Sequence, residues 1–223
     1  MQPYIFPYIG YFKLINEVDT FVLFDDVNFI KKGWINRNNI LVNKKAFLFT
    51  IPVKGASQNK LINEMQIDDQ SYWKQDFLKT ILQAYSKAPF FHHVYPVIQQ
   101  IIEYPENDIS KFILHSIKVI CGYIKINTEI ILSSDIQKNN TIKGQDKIIQ
   151  ICSKLKATEY INASGGKTLY NENEFLEENI SLKFSESPQI IYTQFKNEFI
   201  ANLSIIDVMM FNPSEAILDF LNI

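Results

Sequence analysis

The hydrophobic period changes twice along this chain, and this change limits the possible folds more than any other feature. Near the start, a helix-like pattern over 11–18 precedes an apolar, strand-like run over 20–26. Residues 40–53 contain two strand-like runs around a polar centre at 43–45, which predicts a hairpin. After a helical middle, strand patterns alternate from Thr128 onward with helices of about ten to fifteen residues, which is typical of βαβ units.

These patterns predict an α/β fold with a mainly parallel sheet of βαβ units and a helical insert in the middle of the chain. The sheet would be Rossmann-like. We expect a single body over 1–223, in which 1–56 and 128–223 form the sheet and 60–127 form the insert.

The insert contains three helical patterns. The first covers 71–85, with Ser71 as its capping residue. The second contains Pro96, where we expect the helix to start or to kink, because proline lacks the backbone N–H. The third covers 108–123.

Composition excludes several classes of function. No apolar run approaches the roughly 20 residues that a bilayer span needs, and the opening residues lack the basic stretch of a signal peptide. We therefore expect a cytoplasmic protein without a membrane span. The chain has 22 basic and 24 acidic residues and a net charge of -2, so it lacks the basic surface of a nucleic-acid-binding protein. The sequence does not indicate an oligomeric state.

Cysteine and histidine residues do not have the spacing of a metal site. Cys121 and Cys152 lie in apolar segments, which predicts reduced, buried thiols. We predict no metal site, and the cofactor, if there is one, is not identified by any motif. His92 has two interpretations, a catalytic base or a histidine at the start of a helix.

Polar residues follow two of the predicted strands. Asp25 and Asp26 come directly after the first apolar strand, and Ser133 and Ser134 follow a later one. Ligands of open α/β sheets bind outside the carboxyl ends of the strands, so these residues are candidates for a site. Repulsion between adjacent carboxylates raises one pKa, which suits Asp25 or Asp26 to act as a base. Whether a divalent ion joins the two carboxylates to a phosphate stays open.

The only arginine among the 22 basic residues is Arg37. In a chain that otherwise uses lysine, a single arginine indicates a position that needs a planar fork of donors. Trp34 lies close to it in sequence, and an indole beside a guanidinium suits the binding of a phosphate or carboxylate. A solvated, charged loop is the alternative interpretation.

The opening segment 2–12 contains two prolines, one glycine and five aromatic residues, which is typical of a rigid loop. It forms either the wall of a binding site or an anchor in the core. The candidate substrate-binding residues are Gln2, Tyr4, Tyr8, Tyr11, Lys32, Trp34, Asn36, Arg37, Ser133 and Ser134.

Three segments, QPYIFPYIGYFKLI, DTFVLFDDVNFIKKGWINRNNI and FTIPVK, resemble the WbqC family, which is found in bacterial gene clusters for O-antigen, capsule and related glycans. The similarity continues through QAYSKAPFF, the two serines after IIL, TEYIN with its glycine pair, and LSIID. The family motif corresponds to Gln2, Pro3, Pro7, Gly10, Asp25, Asp26, Lys32, Trp34, Asn36 and Arg37. Family members begin with a few apolar residues that form a first strand ahead of Gln-Pro, so we expect that strand to be incomplete here.

The resemblance implies a transferase that acylates or aminoacylates an amino sugar, linked to a nucleotide, during the synthesis of O-antigen, capsule or a related glycan. The substrate would be a nucleotide-sugar or sugar-phosphate, and an acyl or aminoacyl carrier protein is a candidate partner. A looser similarity connects the layout with nucleotidyltransferase-like folds, but 8–11 reads Tyr-Ile-Gly-Tyr where those proteins have two histidines.

Two other interpretations stay open. One is a non-catalytic module that binds a nucleotide-sugar or a carrier for a partner enzyme. The other is a structural subunit, in which 25–37 would be exposed and disordered.

Overall fold

Eight helices and eight strands lie within residues 1–70, 72–196 and 198–222, which are the residues that this computed structural model describes. The helices are α1 (Ile9–Asn16), α2 (Trp73–Tyr85), α3 (Phe91–Glu103), α4 (Ile109–Ile124), α5 (Gly144–Lys154), α6 (Glu172–Glu177), α7 (Ile205–Phe211) and α8 (Ser214–Leu221). The strands are β1 (Thr20–Leu23), β2 (Arg37–Val42), β3 (Lys45–Thr50), β4 (Val53–Lys54), β5 (Gln66–Ile67), β6 (Glu129–Leu132), β7 (Glu159–Ala163) and β8 (Ser181–Ser185). Short 3₁₀ turns cover Ile62–Glu64, Ser133–Asp135 and Ser164–Leu169.

The strands of the described ranges pair two by two. β1 pairs with β6 and β7 pairs with β8, both in parallel, while β2 with β3 and β4 with β5 are antiparallel. The mixture of helices and strands agrees with the predicted α/β class. Since each sheet in the described part of the chain has two strands, the larger Rossmann-like sheet is not confirmed.

The chain's first residue lies alongside β1. The amino group of Met1 donates to the carbonyl oxygen of Val22 at 3.0 Å, and the backbone N–H of Phe24 donates to the carbonyl of Met1 at 2.7 Å. Bonds on either side of one residue are the pattern of a parallel pair. The expectation about the completeness of a first strand stays a prediction.

The hairpin around 43–45 is confirmed, because β2 and β3 pair in antiparallel register with Val42 opposite Lys45. Asn43 and Lys44 form the two-residue turn with φ values of 49° and 64°. Two successive left-handed residues are what a type I′ turn requires, and this turn matches the twist of the flanking strands.

The helical middle is confirmed, with two differences in detail. α2 begins at Trp73, and its predicted cap, Ser71, lies outside the described residues. α3 begins at Phe91, so the helix does not start at Pro96, which lies inside it, and the alternative of a kink at Pro96 stays a prediction. Proline removes one intrahelical hydrogen bond. The helix nevertheless continues through Pro96, because most of its stability comes from burying an apolar face that includes Val94 and Ile98.

The main core joins residues from both ends of the chain and from the middle, among them Phe12, Leu23 and Phe112. A smaller cluster consists of Cys152, Phe175 and Ile180, between α5, α6 and the start of β8. Cys121 and Cys152 are free and buried, as predicted. The division into a sheet and an insert stays a prediction. Within the described ranges, every helix is too short or too polar to cross a membrane.

Candidate functional site

The carboxyl ends of β1 and β6 lie side by side because the two strands are parallel and Leu23 stands opposite Leu132. Each carboxylate that follows β1 therefore meets one serine that follows β6. Ser133 Oγ donates to Asp26 Oδ1 at 2.7 Å, and Ser134 Oγ donates to Asp25 Oδ2 at 2.6 Å. The backbone N–H of Ser134 also donates to Asp25 Oδ1, at 2.9 Å. The structure thus brings these four candidates together, while the catalytic role of the two carboxylates and the substrate-binding role of the two serines stay predictions.

Asp26 forms ion pairs with two lysines that the sequence analysis missed. Its Oδ2 lies 2.8 Å from Lys138 Nζ and 2.9 Å from Lys147 Nζ, and the two lysine side chains are 0% and 5% exposed. Burial alone would raise the pKa of Asp26, but hydrogen bonds from Lys138, Lys147 and Ser133 outweigh it and lower the pKa. An ionised carboxylate with this many donors is a poor proton acceptor, so Asp26 anchors the site.

The two lysines are held by backbone atoms as well as by Asp26. Lys147 donates to the carbonyl of Asp26 at 2.7 Å, and its Nζ lies 5.4 Å from the centre of the Phe24 ring. Lys138 donates to the carbonyl of Ser133. Lys147 belongs to the buried side of α5, four residues before buried Ile151, and a lysine in an apolar stripe was the available sequence signal.

Asp25 has a different environment. Its side chain is completely buried, and burial raises its pKa although the two hydrogen bonds from Ser134 oppose the shift. In the described residues, its carboxylate has no ion-pair partner. Ser134 is exposed, so its hydroxyl connects the buried carboxylate with solvent. This pair suits the acceptance of a proton by Asp25 through Ser134.

Aromatic side chains of the opening segment and of the loop before β2 form a second cluster, with Tyr4 at its centre. The Tyr4 ring lies 6.4 Å from Tyr8, 6.1 Å from Tyr11 and 6.1 Å from Trp34, measured between ring centres. Trp34 is 47% exposed. Tyr11 is buried, and its hydroxyl group donates a hydrogen bond to the carbonyl of Gln2 at 2.9 Å. Trp34 is therefore accessible from solvent, whereas Tyr11 belongs to the core, and their roles in substrate binding stay predictions.

Arg37 lies beside the indole of Trp34, with the guanidinium carbon 5.6 Å from the ring centre. Its Nε–H donates to the carbonyl of Gly33 at 2.7 Å, which fixes the direction of the side chain. The terminal guanidinium nitrogens have no partner among the residues described, so they are available to an anion.

Two further candidates of this loop are placed very differently. Lys32 is exposed and its backbone is left-handed, with φ of 60°. Asn36 is buried and donates its amide N–H to the carbonyl of Ile51 at 2.7 Å, so it braces the loop. Asp25 and Asn36 are buried whereas Lys32 and Trp34 are exposed, so the region 25–37 is exposed only in part, and the interpretation as a structural subunit stays open.

The opening segment links the aromatic cluster to the neighbourhood of β1. The opening segment starts beside β1 at Met1, and the backbone N–H of Ile5 donates to the carbonyl of Ile35 at 3.1 Å. The amide of Asn38 then holds the carbonyls of Ile5 and Phe6, at 3.2 and 2.6 Å. The opening segment thus connects the edge that carries Asp25 with the loop that carries Arg37.

His92 is not brought into this region. It lies exposed on the first turn of α3, where its ring meets the edge of Phe91 at 5.5 Å between centres. No contact in the described ranges joins it to Asp25 or Arg37. Its catalytic role stays a prediction without geometric support.

A buried carboxylate at Asp207, in the segment LSIID, was missed as a site feature. It accepts hydrogen bonds from Tyr85 at 2.8 Å, Tyr192 at 2.6 Å and Gln194 at 2.7 Å. Burial raises its pKa, and the three hydrogen bonds oppose the shift. Tyr192 also borders a small pocket of about 100 Å³ that Tyr8 lines from the other side.

Fold and site define a class of mixed α/β protein with a polar site at the ends of two parallel strands and an aromatic cluster around Tyr4. The chain belongs to the WbqC-like protein family, whose model matches residues 2–218. A protein of Mycobacterium tuberculosis, described as uncharacterized protein Rv1507c, is 28% identical over 225 residues, covering 99% of this chain and 95% of that protein. No solved structure matches the chain.

Proposed function

We propose that this protein is a cytoplasmic transferase that acylates or aminoacylates an amino sugar, linked to a nucleotide, in the synthesis of O-antigen, capsule or a related glycan. The observation that carries the proposal is the pair formed by buried Asp25 and exposed Ser134. A carboxylate with a raised pKa and no ion-pair partner in the described part of the chain has the properties of a general base. Membership of the WbqC-like family supports the glycan context.

In the proposed reaction, the amine of the sugar attacks the carbonyl carbon of the acyl donor. A carbon–nitrogen bond forms, the bond between the carbonyl carbon and the leaving group breaks, and the leaving group departs with the electron pair. The amine proton passes to Ser134 Oγ while the hydroxyl proton of Ser134 passes to Asp25 Oδ2, 2.6 Å away. Asp25 then returns a proton through Ser134 to the leaving group.

The nucleotide part would bind at the aromatic cluster. The terminal nitrogens of Arg37 and the ammonium of Lys32 would hold the phosphates, because a planar fork suits two phosphate oxygens and an ammonium adds charge. Trp34, half exposed beside Tyr4, offers a face for stacking. The donor would be a small thioester or an acyl or aminoacyl group on a carrier protein.

The test is a turnover assay that detects the acylated sugar by its mass. UDP-, dTDP- and GDP-linked amino sugars are paired with acyl-CoA thioesters and aminoacyl carrier donors. Asp25→Asn removes the base and lowers the rate by about 10²- to 10⁴-fold. Glu215→Gln is the matched control, since Glu215 is an exposed acid paired with Lys125 at 2.9 Å, and it keeps the wild-type rate. An undiminished rate in Asp25→Asn contradicts the proposed base.

A second candidate function is a binding module that holds a nucleotide-sugar or a carrier for a partner enzyme. It is favoured by one observation, that both oxygens of Asp25 and both oxygens of Asp26 are engaged by internal donors. The binding module would be favoured over the transferase if a nucleotide-sugar binds saturably and no acylated sugar forms with any donor of the turnover assay.

A further inference from the structure

A buried polar atom without a partner lies next to the strand ends. The backbone N–H of Asn63 donates to the carbonyl of Asp25 at 3.1 Å, and the N–H of Ile62 donates to the carbonyl of Val27 at 2.9 Å. These bonds hold the turn Ile62–Glu64 against the segment that follows β1. Asn63 Oδ1 is buried and accepts no hydrogen bond from the residues that the structure describes.

An unpaired buried acceptor destabilises a protein, because its hydration is lost without compensation. The neighbours of Asn63 show that local structure does not need this oxygen. The turn is closed by Glu64, whose carboxylate accepts from the N–H of Leu61 at 2.7 Å, and by the N–H of Met65, which donates to Ile62. A buried acceptor without a partner calls for an explanation, and a role in binding a ligand is one that its place beside a candidate base favours.

We infer that Asn63 is a ligand-binding residue of this site, and that its Oδ1 accepts a hydrogen bond from the amine or a hydroxyl of the bound amino sugar. The inference rests on the proposed function, since it assigns the substrate class to the same site. Asn63 Oδ1 then orients the nucleophile, while Asp25, reached through Ser134, accepts its proton. An amide oxygen can only accept hydrogen bonds, so it suits a sugar that carries donors such as an amine or a hydroxyl group.

The experiment compares Asn63→Leu with the control Asn212→Leu. Leucine has the same number of side-chain heavy atoms and the same branching as asparagine, but it is somewhat larger and cannot accept a hydrogen bond. Asn212 is an asparagine that is 8% exposed, and its amide donates to the carbonyl of Val208 at 2.8 Å, so it is a structural residue. Melting temperatures are measured without ligand and with a panel of UDP-, dTDP- and GDP-linked amino sugars, and with the matching nucleoside diphosphates.

We expect Asn63→Leu to melt at or above the wild-type temperature without ligand, whereas Asn212→Leu melts lower. The sugar that stabilises the wild type should bind Asn63→Leu about tenfold more weakly, the loss expected for one hydrogen bond. Its nucleoside diphosphate should bind both equally, because that part of the ligand lies at Arg37.

Three outcomes overturn the inference in distinguishable ways. If Asn63→Leu melts as low as Asn212→Leu, the amide is structural. If Asn63→Leu is stable and binds the sugar like the wild type, the buried oxygen serves a water molecule, and the proposed function stands. If no sugar of the panel stabilises the wild type, the substrate class is wrong, and the proposed function fails together with the ligand assigned to Asn63.

Discussion

Asp26 is the residue whose replacement should affect stability most clearly. In Asp26→Asn, the carboxylate that lies 2.8 Å from Lys138 and 2.9 Å from Lys147 becomes a neutral amide. Both ammonium groups then remain buried without a counter-charge, and the new amide hydrogens face at least one of them. Removing one partner of a buried ion pair costs about 3–5 kcal/mol, because the remaining charge is left uncompensated.

The two lysines do not double this cost. Lys147 keeps the carbonyl of Asp26 and the Phe24 ring, and Lys138 keeps the carbonyl of Ser133, so each ammonium retains part of its environment. We therefore expect a total loss in the free energy of unfolding of about 3–5 kcal/mol. In a chain of this length, that corresponds to a fall in melting temperature of about 6–20 °C.

Chemical unfolding of wild type and variant, followed by circular dichroism, measures the loss. Glu215→Gln is again the control, since it breaks an exposed ion pair and should change stability little. The folded-state pKa of Asp26 lies below its ordinary value of 3.8, so its contribution is complete above that pH and is lost on further acidification. The gap between wild type and variant should thus be constant near neutrality and shrink below about pH 4. A loss of less than about 1 kcal/mol, within the range of exposed ion pairs, would refute the reasoning.

Three further predictions concern other parts of the fold. Asp207→Asn should lower the free energy of unfolding by about 1–3 kcal/mol, since the amide satisfies its buried donors poorly. Because burial raises the pKa of Asp207 in the folded state, the advantage of wild type over Asp207→Asn should be larger near pH 4 than at pH 7, as measured by urea unfolding. Gly10→Ala should cost about 1–3 kcal/mol in the same assay, because a Cβ would overlap Ser187 Oγ and the Tyr8 ring. Arg37→Lys should keep the melting temperature but bind a nucleoside diphosphate at least about tenfold more weakly, by calorimetry, since lysine lacks the planar fork.

Local features of the fold were predictable from the sequence, because they depend on short-range patterns. The turn at Asn43 and Lys44 follows from polar residues between two strand-like runs, and the helices of the middle follow from their apolar period. The position of Pro96 inside α3 was not predictable in the same way. Packing of the apolar face, including Val94 and Ile98, decides where that helix begins, and packing depends on residues distant in sequence.

The candidate site was predictable only in part. Four candidates could be predicted because they directly follow predicted strands, and the structure places them in contact: Asp25, Asp26, Ser133 and Ser134. The different environments of the two carboxylates were not predictable, because they depend on lysines more than 100 positions away. Lys147 lies 121 positions after Asp26. The role of Asn63 could not be predicted from the sequence. Its Oδ1 stands out only because the folded chain buries it without a hydrogen-bond donor among the described residues.

Most directly, the central claim is tested by an experimental structure with a bound nucleotide-linked amino sugar. We predict that the amine lies within hydrogen-bond distance of Ser134 Oγ and Asn63 Oδ1, with the phosphates at Arg37 and the nucleobase against Trp34. A ligand bound instead in the small pocket between Tyr8 and Tyr192, with the strand ends unoccupied, would contradict it.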